Sequence, residues 1–205
     1  ITSYAVALDI PLDEWTGKTG INVTGTSDLA PLEEQAKMVN DLTGAKKVGI
    51  LYCSGEPNSV YQAKVVGEEL NKYGIESKEY TVADSNDIAT VTQTACDECD
   101  ALYIPTDNVM AAAVGTIDPI AKKANKPIIA GEEGILKGCG VASLTITYYD
   151  IGYKAGEMAA EILEKGTNPG DMEIAYAPTT KKKYSPSRSK ACDITIPEDY
   201  EAIEE

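Results

Sequence analysis

From residue 46 onward, short apolar runs alternate with stretches in which apolar residues recur every three or four positions. The run 46–52 is apolar and rich in strand formers, and predicts a buried strand. It is followed at 58–73 by Tyr61, Val65, Val66, Leu70 and Tyr73 at helical spacing, with Gly74 as the stop. The alternation continues with a strand at 76–82, a helix at 86–95 and a strand at 101–104. A helix from Asp107 then carries Val109, Met110, Ala113 and Ile117 on one face, and Gly115 and Pro119 should kink or split it. Strands at 127–130 and 141–146 follow. The last strong helix, 150–164, directs Ile151, Ala155, Met158, Ala159, Ile162 and Leu163 inward and closes at Gly166.

Repeated βα units of this length call for an α/β fold, a Rossmann-like parallel sheet with helices on both faces. Upstream, 3–8 and 22–25 read as strands, and Asp28 as the cap of a helix running to Leu42 with Pro31 in its first turn. Beyond Gly166 the pattern loosens to one strand at 173–176 and a polar stretch at 178–189. The expected organisation is therefore residues 1–27 as part of a first lobe and its crossover, 28–165 as a nearly complete lobe, and 166–205 as a return segment and tail. The chain starts at Ile1 and opens almost directly on a strand-like run, so the expectation is that upstream residues have been removed and that the first lobe is incomplete here.

Composition narrows the partners. The 205 residues carry a formal charge of −15, which repels nucleic acid and anionic membrane surfaces. The short basic run Lys181–Lys183 reads as a solvated loop, and no apolar run is long enough to span a bilayer. Of the five cysteines, only Cys96 and Cys99 have metal-like spacing. With no histidine and no second close pair, they read as a surface thiol pair at a helix end, free to form a disulfide in an oxidising compartment. No metal or cofactor is expected.

In a parallel α/β sheet, ligands collect outside the carboxyl ends of the strands. Three polar loops fall there. The first, Ser54-Gly55-Glu56-Pro57-Asn58-Ser59, opens a helix whose free amides and dipole suit a carboxylate or phosphate, although Asn58 or Ser59 serves equally well as a plain N-cap. In the second, Asp107 between Thr106 and Asn108 is either a cap or a partner for an ammonium group. Glu132 and Glu133, between Gly131 and Gly134, add carboxylates to the same edge. Tyr148 and Tyr149, just after the last strand, either line a pocket or cover the core, and Trp15 stands under the same two readings. Catalytic devices are missing: without histidine there is no Ser-His-Asp or Cys-His arrangement, and no phosphate-binding or dinucleotide glycine motif is present. Cys53 at a strand end lacks the arginine six residues on that a cysteine phosphatase needs; Ser59 stands there.

Taken in order, Val48-Gly-Ile-Leu-Tyr…Ser-Gly-Glu-Pro-Asn-Ser59, Tyr103-Ile-Pro-Thr-Asp-Asn108, Ile129-Ala-Gly-Glu-Glu-Gly134 and Ile146-Thr-Tyr-Tyr-Asp-Ile-Gly152 resemble the extracytoplasmic solute-binding proteins of ABC transporters. The resemblance is to the family that includes tryptophan- and other aromatic amino-acid-binding members. Asn22-Val-Thr-Gly-Thr-Ser-Asp28 and Asp193-Ile-Thr-Ile-Pro197 match its connecting and closing segments. The resemblance implies a type I periplasmic-binding fold with two lobes closing on a ligand, a periplasmic or lipid-anchored setting, and a membrane permease as partner. Carried onto this chain, the loop of Ser54, Gly55, Glu56, Asn58 and Ser59 takes an amino-acid carboxylate. The Thr106-Asp107-Asn108 loop takes the ammonium end, with Glu132, Tyr148 and Asp150 nearby. Thr147 stands where relatives commonly carry an acidic residue, and Asp150 replaces a longer one, so the ligand within the amino-acid class stays open. The alternatives are the ligand-sensing domain of a transcription regulator and, behind it, an α/β enzyme using carboxylates.

Overall fold

The strand β2 (Lys47–Cys53) is buried at every position after the first, as a strand covered on both faces must be. The computed structural model, which describes residues 3–11 and 14–204, pairs it in parallel with β3 (Glu76–Val82) on one side and β4 (Ala101–Ile104) on the other. Parallel pairing continues to β5 (Ile128–Ala130) and β6 (Ala142–Ile146), and the sheet is completed by β8 (Thr180–Tyr184) and β9 (Glu201–Ala202). The strand order is β3-β2-β4-β5-β6-β8-β9. A second, two-stranded sheet joins β1 (Thr26–Ser27) to β7 (Ala175–Tyr176) in parallel.

Contacts divide the chain into two compact units. The larger comprises Ala30–Thr145 and the residues from Lys181 onward; the smaller comprises residues up to Leu29 together with Ile146–Thr180. The helix α8 (Tyr148–Lys165) thus groups with the smaller unit and the strands β8 and β9 with the larger. The sequence pattern placed 150–164 with the main lobe and 181–205 with the return segment.

In the larger unit the helices follow the apolar stripes. α2 (Leu32–Thr43) buries Leu32, Gln35, Ala36, Met38, Val39 and Leu42 and ends at Gly44, whose φ of 58° is left-handed. It starts later than its sequence suggests because Pro31 takes the cap position and disfavours helix in the residue before it. α3 (Pro57–Lys72) begins on its proline. α4 (Ile88–Glu98) buries Ile88, Thr92, Ala95 and Cys96. The next helical stretch is split, but at Ala113, between α5 (Asn108–Ala112) and α6 (Val114–Ala124); Pro119 lies inside α6. α7 (Glu133–Gly138) and α9 (Pro186–Ala191) complete the unit.

Several expectations are corrected. Residues 3–8 are not a strand: the Ser3 hydroxyl accepts from Val6 N at 3.4 Å and caps the short helix α1 (Tyr4–Ala7). Residues 22–25 form no strand either; Val23 N turns back to Ile21 O at 2.6 Å, and pairing begins only at Thr26. Lys181–Lys183 is no loop but part of β8, with Lys181 paired to Glu201, Lys182 to Asp199 and Lys183 to Glu133. Cys96 and Cys99 are free thiols packed in the core, not a surface pair, and burial pushes the Cys96 thiol up to about 11. On α8 only Met158 of the six residues expected inward is buried, while Leu163 is 84 % exposed.

Candidate functional site

Strand order locates the candidate site before any side chain does. β2 is the first strand of the larger unit; the chain steps from it to β3 on one side and then to β4 on the other. The crevice between the carboxyl ends of β2 and β4 is therefore the topological switch point, where α/β sheets hold ligands. Two of the three polar loops, 54–56 after β2 and 105–107 after β4, lie at that edge, with the 131–132 loop next to them after β5.

The loops are bound to one another by a dense set of hydrogen bonds. The carbonyl of Thr106 accepts from Asn58 Nδ2 at 3.0 Å, Gln62 Nε2 at 3.1 Å and Ser59 Oγ at 3.4 Å, and Thr106 N donates back to Gln62 Oε1 at 3.2 Å. Asn58 and Ser59 therefore turn inward to hold the neighbouring loop, and neither caps its own helix. Ser59 is fully buried. Thr106 also reaches Gly131 O at 3.5 Å. A Cβ on Gly131 would stand 2.7 Å from the backbone of Pro105 and Thr106, so this close approach requires glycine.

The carboxylates divide by exposure. Asp107 is 2 % exposed: Oδ1 accepts from Met110 N at 2.8 Å and Oδ2 from Cys53 N at 2.7 Å. Of its two sequence readings, the cap is the one its bonds display. Glu56 is half-buried and caps not its own helix but α5, accepting from Asn108 N, Asn108 Nδ2 and Val109 N, each at 3.1 Å. Glu132, also half-buried, caps α7 through Gly134 N at 2.6 Å and through Ile135 N. Burial alone would raise Glu133, but hydrogen bonds from Lys183 and Lys137 outweigh it and leave its carboxyl below the usual range. Ser54 and Gly55 are exposed; Ser54 donates from N and from Oγ to Val82 O at 2.9 and 3.2 Å. Asn108 is exposed as well.

Tyr148 and Asp150 belong to the smaller unit, at the start of α8. Thr147 caps that helix by accepting from Asp150 N at 3.2 Å, Tyr148 is 55 % exposed, and Tyr149 stacks on Tyr153 with ring centroids 6.5 Å apart. Trp15 is half-buried in the same unit. Sequence reasoning missed Gln62, Gln35 and Gly131. The signal was present: each glutamine sits in the apolar stripe of its helix, and a carboxamide there must have partners. Among the described residues, no group of three His, Cys, Asp or Glu side chains is placed to hold a metal ion.

A doubly wound parallel sheet with polar loops clustered at its switch point defines the class: an α/β protein of the type I periplasmic-binding fold. Residues 7–203 match the family described as ABC transporter substrate binding protein, and the chain belongs to that family. It is 33 % identical over 178 residues to a tyrosine-binding protein of Clostridioides difficile, an alignment covering 86 % of this chain and 51 % of that protein. Among solved structures, an ABC domain from Streptococcus pneumonia in complex with L-Trp superposes with a TM-score of 0.87 at 30 % identity, covering 97 % of this chain and 66 % of the other. A ligand-free, open substrate binding protein with adhesive properties from Clostridium difficile gives 0.74 at 30 % identity, covering 92 % and 65 %. The chain thus spans about half the length of the curated relative it matches and just under two thirds of these solved chains. The family is one of substrate-binding proteins, not of enzymes.

Proposed function

We propose that this chain is the ligand-binding part of the solute receptor of an ABC importer, and that it holds an amino acid, aromatic ones first, at the switch-point edge of its larger unit without chemically changing it. The observation that carries the reading is the cluster of the 54–56 and 105–107 loops at the β2/β4 crevice, in a family of substrate-binding proteins whose relatives include an L-Trp complex and a tyrosine-binding protein.

The bonding pattern supports a division of roles among these residues. Asn58 and Ser59 are spent on Thr106 and the Ser54 donors on Val82 O, so the group left to meet a ligand carboxylate is the Gly55 backbone amide at the positive end of α3. An ammonium group next to it meets the Thr106–Asn108 loop, where Glu56 supplies the accessible carboxylate and Asn108 a carboxamide. Asp107 stays beneath them as the cap, and Glu132 adds negative charge on the adjoining loop. In the smaller unit, taken by itself, Tyr148 presents an exposed ring at the start of α8, with Asp150 in the first turn of the same helix. The partner is a membrane permease, and the setting is extracytoplasmic; no helix among the described residues is long and apolar enough to cross a membrane.

Isothermal titration of L-tryptophan, L-tyrosine and other free amino acids into this chain, with chromatographic recovery of the ligand, tests the proposal. Saturable binding with ligand recovered unchanged is expected. Turnover of the ligand, or binding confined to solutes without an amino-acid headgroup, overturns it.

A further inference from the structure

Behind the edge loops lies a buried polar arrangement with no place among the ligand contacts above. Gln35, on α2, is wholly buried, and its carboxamide is fully engaged: Nε2 donates to Gly131 O and to Leu144 O, both at 3.0 Å, while Oε1 accepts from the Tyr103 hydroxyl at 2.6 Å. The chemistry fixes its orientation. Two carbonyls can be faced only by the NH2 end, so the hydroxyl must donate to the oxygen.

The three partners have distinct places in the fold. Gly131 opens the β5–α7 loop, and its close approach to Pro105 and Thr106 transfers its position to the 105–107 loop. Leu144 directly precedes Thr145, after which the chain leaves the larger unit; Gln35 stands on the helix that begins just after the chain enters that unit at Ala30. Tyr103, fully buried in β4, anchors the carboxamide to the middle of the sheet. One planar side chain therefore joins an edge loop, the end of β6 near one crossover, and the start of the helix after another. Because both donor hydrogens lie in one rigid plane, displacement of Gly131 cannot be absorbed without disturbing the bond to Leu144.

We infer that Gln35 is a positioning residue that couples the edge loop at Gly131 to the two chain crossovers at Ala30 and Thr145, so that occupancy of the edge is transmitted to the segments connecting the units. The ligand side of this inference rests on the function proposed above; the coupling inside the larger unit does not.

The test is backbone hydrogen exchange on the full chain without ligand, comparing wild type with Gln35→Met, which keeps length and volume and deletes both donors. The amides of Gly131, Gly134 and Ile135 and those of Thr145 and Ile146 should exchange about tenfold faster together, the factor expected from two lost bonds of modest net strength, with the β2–β3 ladder unchanged. Uniform acceleration throughout the unit, or acceleration at only one of the two places, overturns the coupling. Should Gln35→Met fail to fold, Tyr103→Phe removes only the orienting hydroxyl and should give the same paired pattern at smaller amplitude; its absence overturns the inference equally. Titration of L-tryptophan and L-tyrosine forms the second arm. If wild type binds, Gln35→Met should bind about tenfold more weakly, and equal affinity overturns transmission from the ligand. If wild type binds neither, the proposed ligand class fails while the exchange pattern still decides the coupling.

Discussion

Asp107 is the residue on which a capping role and a ligand-binding role predict opposite results. Its carboxylate is 2 % exposed and divided between two backbone amides, Met110 N at 2.8 Å in its own helix and Cys53 N at 2.7 Å at the end of β2. In Asp107→Ala the cap is lost, a change worth about 1 kcal/mol. The Cys53 amide is left buried without its charged acceptor, which adds about 1–3 kcal/mol. The sum, about 2–4 kcal/mol, should lower the melting temperature by about 5–15 °C in a chain of this size. Asp107→Asn retains one accepting oxygen for Met110 but turns an NH2 toward the Cys53 amide, so it should still lose roughly 1–3 kcal/mol. Urea denaturation followed by circular dichroism measures both. An unchanged midpoint in Asp107→Ala, together with abolished amino-acid binding, would refute the reasoning, because it would mean that the carboxylate serves the ligand and not the fold.

Gly131→Ala should destabilise the larger unit by about 1–3 kcal/mol, because its Cβ must push back the Pro105–Thr106 backbone, and thermal melting checks it. Arg188 ties α9 to the unit by donating to Asp118 at 3.0 Å, to Gly138 O at 2.6 Å and to Lys137 O at 3.3 Å; Arg188→Met should cost about 2–3 kcal/mol in urea denaturation. Burial would raise the Asp118 carboxyl, but Lys122 and Arg188 outweigh it and hold it below 3.8. A depressed folded value contributes stability above the unfolded value that is lost as pH falls through the folded one, so acid melting below about pH 4 should be steeper in wild type than in Arg188→Met. Burial raises the thiols of Cys96, Cys99, Cys139 and Cys192, with Cys139 pushed up to about 12. Iodoacetamide at neutral pH should therefore label the half-buried Cys192 first in native protein, and mass spectrometry should find the other thiols labelled only after denaturation.

The alternation of apolar runs with helical stripes made the sheet of the larger unit legible, because β2, β4, β5 and β6 are buried strands each set between helices. Residues 3–8 misled because Tyr-Ala-Val-Ala-Leu suits a buried strand and a short helix alike, and the Ser3 cap decides between them. Lys181–Lys183 looked like a loop because its charges are satisfied by Glu201, Asp199 and Glu133, residues remote in sequence. At the edge, loop positions were readable but side-chain directions were not. Asn58 and Ser59 stand where a cap or an anion ligand belongs, yet their partner is the Thr106 carbonyl, 48 and 47 residues away in sequence. Glu56 likewise caps a helix 52 residues further on. No local rule assigns such cross-loop bonds; they follow from the strand order that brings β2 beside β4.

Whether an amino acid sits at this edge is decided by backbone amide NMR during titration with L-tryptophan and L-tyrosine. Saturable shifts are expected to concentrate at Ser54–Asn58, Thr106–Asn108 and Gly131–Glu132. Saturable shifts confined to other residues, or none at ligand concentrations that saturate related receptors, would contradict it.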